Sequence, residues 1–448
     1  MNELKKQSNN TSPPMILQFN HKTLRFGGDM IFIVSGTSLT GGSIQLTGTT
    51  GLPFSITIDP GDGTDKLTYP SIGTTLRLYN TGNVNINPDA GMYQCPVWST
   101  GNKTDRIVRI SCSNWAAISG ISITGLFLSK PQKLNIPFNA MYRLKNLHMA
   151  QSGIYAQITE FDTGVLSLPS FTSLSIAGQY FTTDSRFYGN IQNDILNARL
   201  TTLTWTGVGT GNTATSKNKA FASTNFLAVN PITLPQLQSL TIEYSYLAGY
   251  DDSESGEGAY PDVWNTFPNL KAFSLNLGLF TRMPEKLNYL PVTLQTLNFL
   301  YSAFVKDWTD LSNLVNLVEI NFTGNGQFTS SLPSWMSALT KLKRLRLTSV
   351  GANGNTTDTN WQNNFYTNLY QLVVANAPIT GTSASPFRSM TISTRNADGT
   401  IVSMQLVSGT EQAPAGFMPG ISNGTPASPA EMIYVLKNQY DHTIAYPA

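Results

Sequence analysis

Charge is scarce in this chain: Asp, Glu, Lys and Arg make up 12% of its 448 residues, against roughly 25% in an ordinary globular domain. The 28 basic and 26 acidic residues nearly cancel, to a net +2. The densest basic run is Lys341-Leu342-Lys343-Arg344-Leu345-Arg346, too short to be the footprint of a nucleic-acid binder. On a strand its leucines would face a core and its basic residues solvent, so it is either a solvated face or a contact for an anionic ligand. Histidine is rarer still. His21, His148 and His442 fall in an N-terminal hairpin, on a repeat and in the tail, and zinc needs four ligands in one place. No metal site and no cofactor is implied. No nucleophile elbow, zinc-protease, P-loop or dinucleotide motif occurs, so the chain is read as a non-enzyme. The two cysteines, Cys95 and Cys112, lie in a stretch that alternates like β structure; a cross-strand disulfide and two free buried thiols both stay open. No window holds enough consecutive apolar residues to insert in a membrane. Behind Lys5 and Lys6 no apolar run follows, so no Sec signal peptide is expected in this N-terminus.

What the chain has in quantity is Ser, Thr, Asn and Gly, and a pattern. Ten times an apolar residue is followed by two variable ones, an apolar, a variable and an apolar. The motif starts at Ile118-Ile121-Ile123 and recurs as Leu144-Leu147-Met149, Phe171-Leu174-Ile176, Leu200-Leu203-Trp205 and Leu237-Leu240-Ile242. It continues as Leu270-Phe273-Leu275, Leu294-Leu297-Phe299, Leu317-Ile320-Phe322, Leu342-Leu345-Leu347 and Leu369-Leu372-Val374. Successive starts are 26, 27, 29, 37, 33, 24, 23, 25 and 27 residues apart. A short motif at nearly fixed spacing predicts a stacked solenoid in which each unit buries its apolar side only against its neighbours.

The motif resembles that of the leucine-rich-repeat family. The resemblance implies a short parallel strand at each Leu-x-x-Leu-x-Leu, lining the concave face of a curved solenoid. The family's turn Asn at the eighth position is retained clearly only as Asn325, so irregular turns are expected. The segment from Leu332 through Trp335 to Leu345 reads as a convex-side helical turn leading into a strand, with Pro333 at its start. Two repeats carry insertions, at 207–224 and 248–261; the second is acidic, from Asp251 to Glu257, and is either a solvated loop or a calcium site. Phe387-Met390-Ile392 is a candidate terminal, atypical repeat.

Outside the array, residues 1–29 read as a polar arm and a hairpin that breaks at 20–22, and 30–115 as short alternating strands in an antiparallel β-sandwich. Ile58-Asp59-Pro60-Gly61-Asp62-Gly63-Thr64 resembles the turn of PKD-like surface modules, which implies an Ig-like domain ahead of the repeats at 116–395. The Phe19-Asn20-His21-Lys22-Thr23-Leu24-Arg25-Phe26 stretch is similar to the opening of structural proteins of phages infecting Bacteroidetes-type bacteria. In 396–448 a hairpin turning at Asp398-Gly399 and a Pro/Gly-rich linker lead to a docking helix launched by the capping box of Ser428 and Glu431. The fold class expected is thus β-rich with short helices: an N-terminal antiparallel sandwich, an irregular leucine-rich-repeat solenoid and a C-terminal tail helix.

Aromatic side chains beside neutral polar groups suit stacking on sugars or a protein hot spot. The ligand-binding residues expected are Thr241, Tyr244, Tyr246, Asn298, Tyr301, Trp308 and Asn321. The function expected is recognition: a protein on the surface of a phage virion that binds a host-surface glycan or protein. The alternatives are a decoration protein that contacts only neighbouring virion subunits, and a bacterial cell-surface adhesin; a homo-oligomer is compatible with each.

Overall fold

The computed structural model describes residues 15–19, 22–26, 28–34, 43–61, 63–79, 86–94, 106–124, 132–133, 135–150, 158–177, 181–188, 198–206, 234–243, 267–276, 285–300, 308–321, 332–347, 359–376, 389–395, 401–403 and 411–440. They fall into two compact units, 1–200 and 201–448.

In the first unit, Met15–Phe19 and Lys22–Phe26 pair as the expected hairpin. Four antiparallel strands follow as one sheet, in the order Met30–Val34, Arg106–Cys112, Ser55–Asp59, Leu67–Pro70. Alternation decides which side of each strand is inside: Ile56, Ile58, Val108 and Ile110 are buried between half-exposed neighbours, the period of two that a one-sided sheet requires. The turn at Asp59 closes as an Asx turn, with Gly61 N donating to Asp59 Oδ1 at 3.0 Å and Lys66 Nζ 3.4 Å from Asp59 Oδ2. Gly61 sits at φ 74° with Ile107 O only 2.0 Å from where a Cβ would stand, so only glycine fits.

Ser43–Gly48 joins the antiparallel part to the repeats. It pairs antiparallel with Thr75–Tyr79 on one side and with the first repeat strand, Ile118–Thr124, on the other. From there the ladder is parallel and in register: Ile118–Thr124, Asn146–Ala150, Ser173–Ala177. Between these strands, Gln132–Lys133, Ile158–Asp162 and Phe181–Tyr188 form a second parallel ladder, and the first two are followed by 3-10 turns, Phe138–Ala140 and Thr163–Ser167, that lead into the next repeat strand.

In the second unit the same ladder geometry runs through Thr202–Thr206, Ser239–Glu243, Ala272–Asn276, Thr296–Leu300, Glu319–Asn321, Arg344–Leu347 and Ser389–Arg395. The first and second motif positions are sealed: Leu237, Leu240, Leu270, Phe273, Leu294, Leu297, Leu317, Ile320, Leu342 and Leu345 are all fully buried. Each such side chain contributes about 1.5–3 kcal/mol by leaving water, and a stack of them is what holds so short a strand in place. Backbone bonding carries the repeat into the turn. One carbonyl accepts two successive N–H groups of the next repeat: Lys271 O from Gln295 N and Thr296 N, Gln295 O from Val318 N and Glu319 N, Val318 O from Lys343 N and Arg344 N.

Nine of the ten motifs form strands of this kind; the tenth does not. Leu369, Leu372 and Val374 lie in an α-helix, α1, Thr359–Asn376. Among the described side chains of α1, Phe365, Tyr366, Leu369, Leu372 and Val373 are buried, the spacing of one helical face. A Leu-x-x-Leu step serves that face as readily as it serves the repeat, and flanking residues continue it at 3.6 rather than at 2. The next parallel strand is instead Ser389–Arg395, with Leu345 opposite Met390 and Leu347 opposite Ile392, which is the expected terminal repeat. It hairpins onto Ile401–Ser403.

The helical turn expected near Trp335 is a 3-10 segment, Ser334–Ala338, with Pro333 as its N-cap, and α1 packs against it. The Pro/Gly-rich stretch expected as a linker folds into a small hairpin, Phe417–Met418 with Ser422–Asn423. Helix α2, Pro429–Asn438, starts at the expected capping box, in which Ser428 Oγ accepts from Glu431 N and Glu431 Oε2 from Ser428 N. Its buried face, Ile433, Val435 and Leu436, lies within its own unit, where it packs on α1. Asn423 Nδ2 donates to Tyr440 Oη at 2.9 Å, and Gly420 N to Gln439 Oε1 at 2.8 Å.

Candidate recognition face

Because the apolar positions of each repeat strand turn inward, the residue between them turns outward, and parallel in-register pairing lines these up in rows. In the second unit the row runs Thr204, Thr241, Ser274, Asn298, Asn321, Arg346, Thr391. Neighbouring strands lie about 4.8 Å apart, so each group stands beside the next at the spacing of a hydrogen-bonded ladder. Thr204, Thr241, Ser274, Asn298 and Asn321 are all half-buried and neutral. A parallel row two residues earlier holds Thr202, Ser239, Ala272, Thr296, Glu319 and Arg344. At that end the face becomes charged: Glu319 lies 3.4 Å from Arg344 Nη1 and 3.7 Å from Arg346 Nε.

Of the ligand-binding residues expected from the sequence, Thr241, Asn298 and Asn321 are brought into one row. Trp308 is half-buried, in the segment 308–311 that follows the Thr296–Leu300 strand. Tyr244, Tyr246 and Tyr301 lie outside the described residues, as do both insertions, the acidic loop and Asn325. Cys112 is a free thiol, its pKa pushed up to about 11 by burial and partly offset by a backbone hydrogen bond from Asn114; Cys95 is outside the described residues.

The first unit carries a shorter row, Ser122, His148, Ser175, extended on the antiparallel side by Gln45 and Arg77. His148 Nδ1 is 2.9 Å from Ser175 Oγ. Desolvation lowers the His148 pKa, so the ring is neutral and is an uncharged hydrogen-bonding group of this shorter row. Among the described residues no group of His, Cys, Asp and Glu is placed to hold a metal ion, and no helix is long and apolar enough to cross a membrane.

A second ladder, which sequence reasoning missed, lies just before the strands. The residue preceding the first motif position reaches back to the carbonyl two places before that position in the preceding repeat. Arg143 Nη1 donates to Ala116 O (3.2 Å), Arg199 Nη1 to Pro169 O (3.0 Å), Asn269 Nδ2 to Pro235 O (2.7 Å), Thr293 Oγ1 to Pro268 O (3.1 Å) and Asn316 Nδ2 to Val292 O (2.7 Å). Lys341 continues it by donating to Asn316 Oδ1 at 2.6 Å. Each of these donors ties its own turn to the one before it, a second place where a side chain joins successive turns besides the eighth position.

In-register parallel strands with apolar residues inward, one per repeat, define a parallel β-solenoid. No family model and no curated protein matches the sequence. Among solved structures the fold is similar to that of an internalin from Listeria monocytogenes, at 14% identity over 64% of this chain and 77% of that one, with a TM-score of 0.32.

Proposed function

We propose that the chain is a non-enzymatic recognition protein, displayed on a phage particle, that binds a host-surface glycan or protein along the outward rows of its repeat strands. The observation that carries this is the unbroken row Thr204, Thr241, Ser274, Asn298, Asn321. Hydroxyl and amide groups in register offer many donors and acceptors on a firm base, and they offer poor acids and bases at neutral pH. Such a surface suits binding rather than bond breaking. The Phe19-to-Phe26 hairpin supports the placement on a phage particle through its likeness to openings of phage structural proteins.

The test is adsorption. Labelled full-length protein is incubated with a panel of Bacteroidetes-type cells, and its ability to block phage infection of the cells it coats is measured. Wild-type protein should adsorb saturably, and a Thr241→Lys, Asn298→Lys double variant, whose side chains point away from the core, should not. Absence of adsorption, with stoichiometric presence in purified particles, would instead make the chain a decoration that contacts only virion neighbours. Presence on bacterial envelopes in the absence of phage would make it an adhesin.

A further inference from the structure

Resting on the recognition reading, we infer that the Arg344 and Arg346 end of the face takes a carboxylate of the ligand, and that the ligand is an acidic polysaccharide. Arg344 and Arg346 are two apart on one strand, so both guanidiniums leave the same side of the ladder. Both are exposed, with 56% and 45% of the side chain open, against 20% for Glu319. Glu319 stands in register with Arg344, and Asn321 with Arg346. One carboxylate therefore faces two guanidiniums, one oxygen toward each. The contacts of 3.4 and 3.7 Å are well beyond the roughly 2.7–2.9 Å of a strong charge-assisted bond. Glu319 thus holds two like charges side by side without closing a bidentate pair on either, and leaves the patch with one net positive charge.

That charge stands out within the two rows, whose other described positions, Glu319 apart, are neutral. Thr296, Asn298 and Asn321 precede it, and Ser389 and Thr391 are the register partners on the next strand. A planar guanidinium with free N–H groups is the side chain best shaped for a carboxylate. The same neighbours favour a sugar polymer over an acidic protein segment. Protein hot spots are built from aromatic and apolar anchors seated in pockets, and the row beside these arginines supplies hydroxyls and amides, the groups that pair with ring hydroxyls. A polymer that lays its neutral hydroxyls along Asn298 and Asn321 would bring a uronate carboxylate to Arg344 and Arg346.

The experiment measures binding of the full chain to immobilised polygalacturonate, hyaluronate and polysialate. Comparison surfaces are carboxyl-reduced polygalacturonate, dextran and poly-glutamate. At least one acidic polysaccharide should bind, its carboxyl-reduced or neutral counterpart should not, and raising the salt should weaken binding. The double variant Arg344→Gln, Arg346→Gln should lose affinity about tenfold or more. Lys343→Gln, one residue away and exposed, should bind as wild type. Thermal melting matched to wild type shows that the double variant is folded; if it is not, Arg344→Lys, Arg346→Lys, which keeps charge but removes the forks, should still lower affinity. Failure of every acidic polysaccharide to bind, or equal binding by the double variant, overturns the inference. Equal and equally Arg-dependent binding of poly-glutamate makes the partner an acidic protein segment and also overturns it. Binding to dextran or to host cells that is indifferent to both arginines sinks this assignment and leaves the recognition reading standing.

Discussion

Asn316 donates its amide to the carbonyl of Val292, 24 residues earlier, at 2.7 Å, and accepts from Lys341, 25 residues later, at 2.6 Å. One side chain therefore joins three consecutive turns. Two repeats earlier, Asn269 joins its own turn to the one before it through Pro235 O. These bonds lie near solvent, so each is worth the ordinary net of a hydrogen bond, about 0.5–1.5 kcal/mol. Asn316→Ala should lower the unfolding free energy by about 1 kcal/mol, Asn269→Ala by a similar amount, and the double variant by the sum, since the two share no partner. Urea titration checks this; no change in midpoint for either variant would show that the ladder follows the fold rather than supports it.

The tenth motif gives a prediction that separates helix from strand. In α1 the exposed Gln371 lies between buried Tyr366, Leu369, Leu372 and Val373. Gln371→Gly should cost about 0.5–1 kcal/mol through helix propensity alone, with Gln371→Ala neutral or slightly stabilising. Leu369→Ala should cost about 2–5 kcal/mol, because Leu369 is fully buried and a cavity remains. In a repeat strand the ranking at 371 would instead favour β-branched residues, so a Gln371→Val variant more stable than Gln371→Ala would count against the helix.

That motif also marks where the sequence stops being readable. Nine strands were legible because the inward residues recur at fixed spacing and their burial is total, as at Leu240, Phe273, Leu297 and Ile320. Leu369-Leu372-Val374 meets the same pattern, and what decides it is the company of Phe365, Tyr366 and Val373 at helical spacing. The row of Thr241, Asn298 and Asn321 could be read from register alone. The donor ladder could not, since Arg143, Arg199, Asn269, Thr293 and Asn316 share no residue type, only a free N–H or O–H at one position. Aligning the repeats on their first apolar residue and asking for donors, rather than for Asn, would have found it. The ordered hairpin at 417–423 was hidden for another reason: Pro, Gly and Ala mark turns equally in a linker and in a packed corner, and the buried Gln439 that braces Gly420 lies 19 residues away.

The capping box can be tested by single atoms. Ser428 Oγ accepts from Glu431 N at 3.3 Å, and Glu431 Oε2 accepts from Ser428 N at 3.0 Å and from Ala427 N at 2.6 Å. Ser428→Ala should destabilise the second unit by about 1 kcal/mol, and Ser428→Gly by only a few tenths. Glu431→Gln, whose one amide oxygen can stand where Oε2 accepts both bonds, should be milder than Glu431→Ala. Equal effects of Gln and Ala at 431 would mean that the helix start is held by packing of Ile433 and Leu436 alone.

Alkali should loosen the protein in two steps. Burial raises the Cys112 thiol from 9.0 to about 11 and the Tyr366 hydroxyl from 10.0 to about 12, so the native state keeps both protons at pH values where the unfolded chain has released them. When the unfolded state binds fewer protons, stability falls as pH rises. Below pH 9 neither group contributes a slope. Between about 9 and 11 the thiol lowers stability, and between about 10 and 12 the phenol does, each ceasing to act once the native group ionises as well. Unfolding midpoints in urea measured across that range should decline, with Cys112→Ala removing the lower part of the decline and Tyr366→Phe the upper. The same burial predicts that native Cys112 reacts with iodoacetamide far more slowly than in the urea-unfolded chain near pH 9, where a thiol of the ordinary value 9.0 is half ionised. Equal rates in the native and unfolded protein, or a flat midpoint through the Cys112 range that the Ala variant does not change, would show that the thiol is not desolvated by the Arg106–Cys112 strand and the turn at Asn114 that follows it.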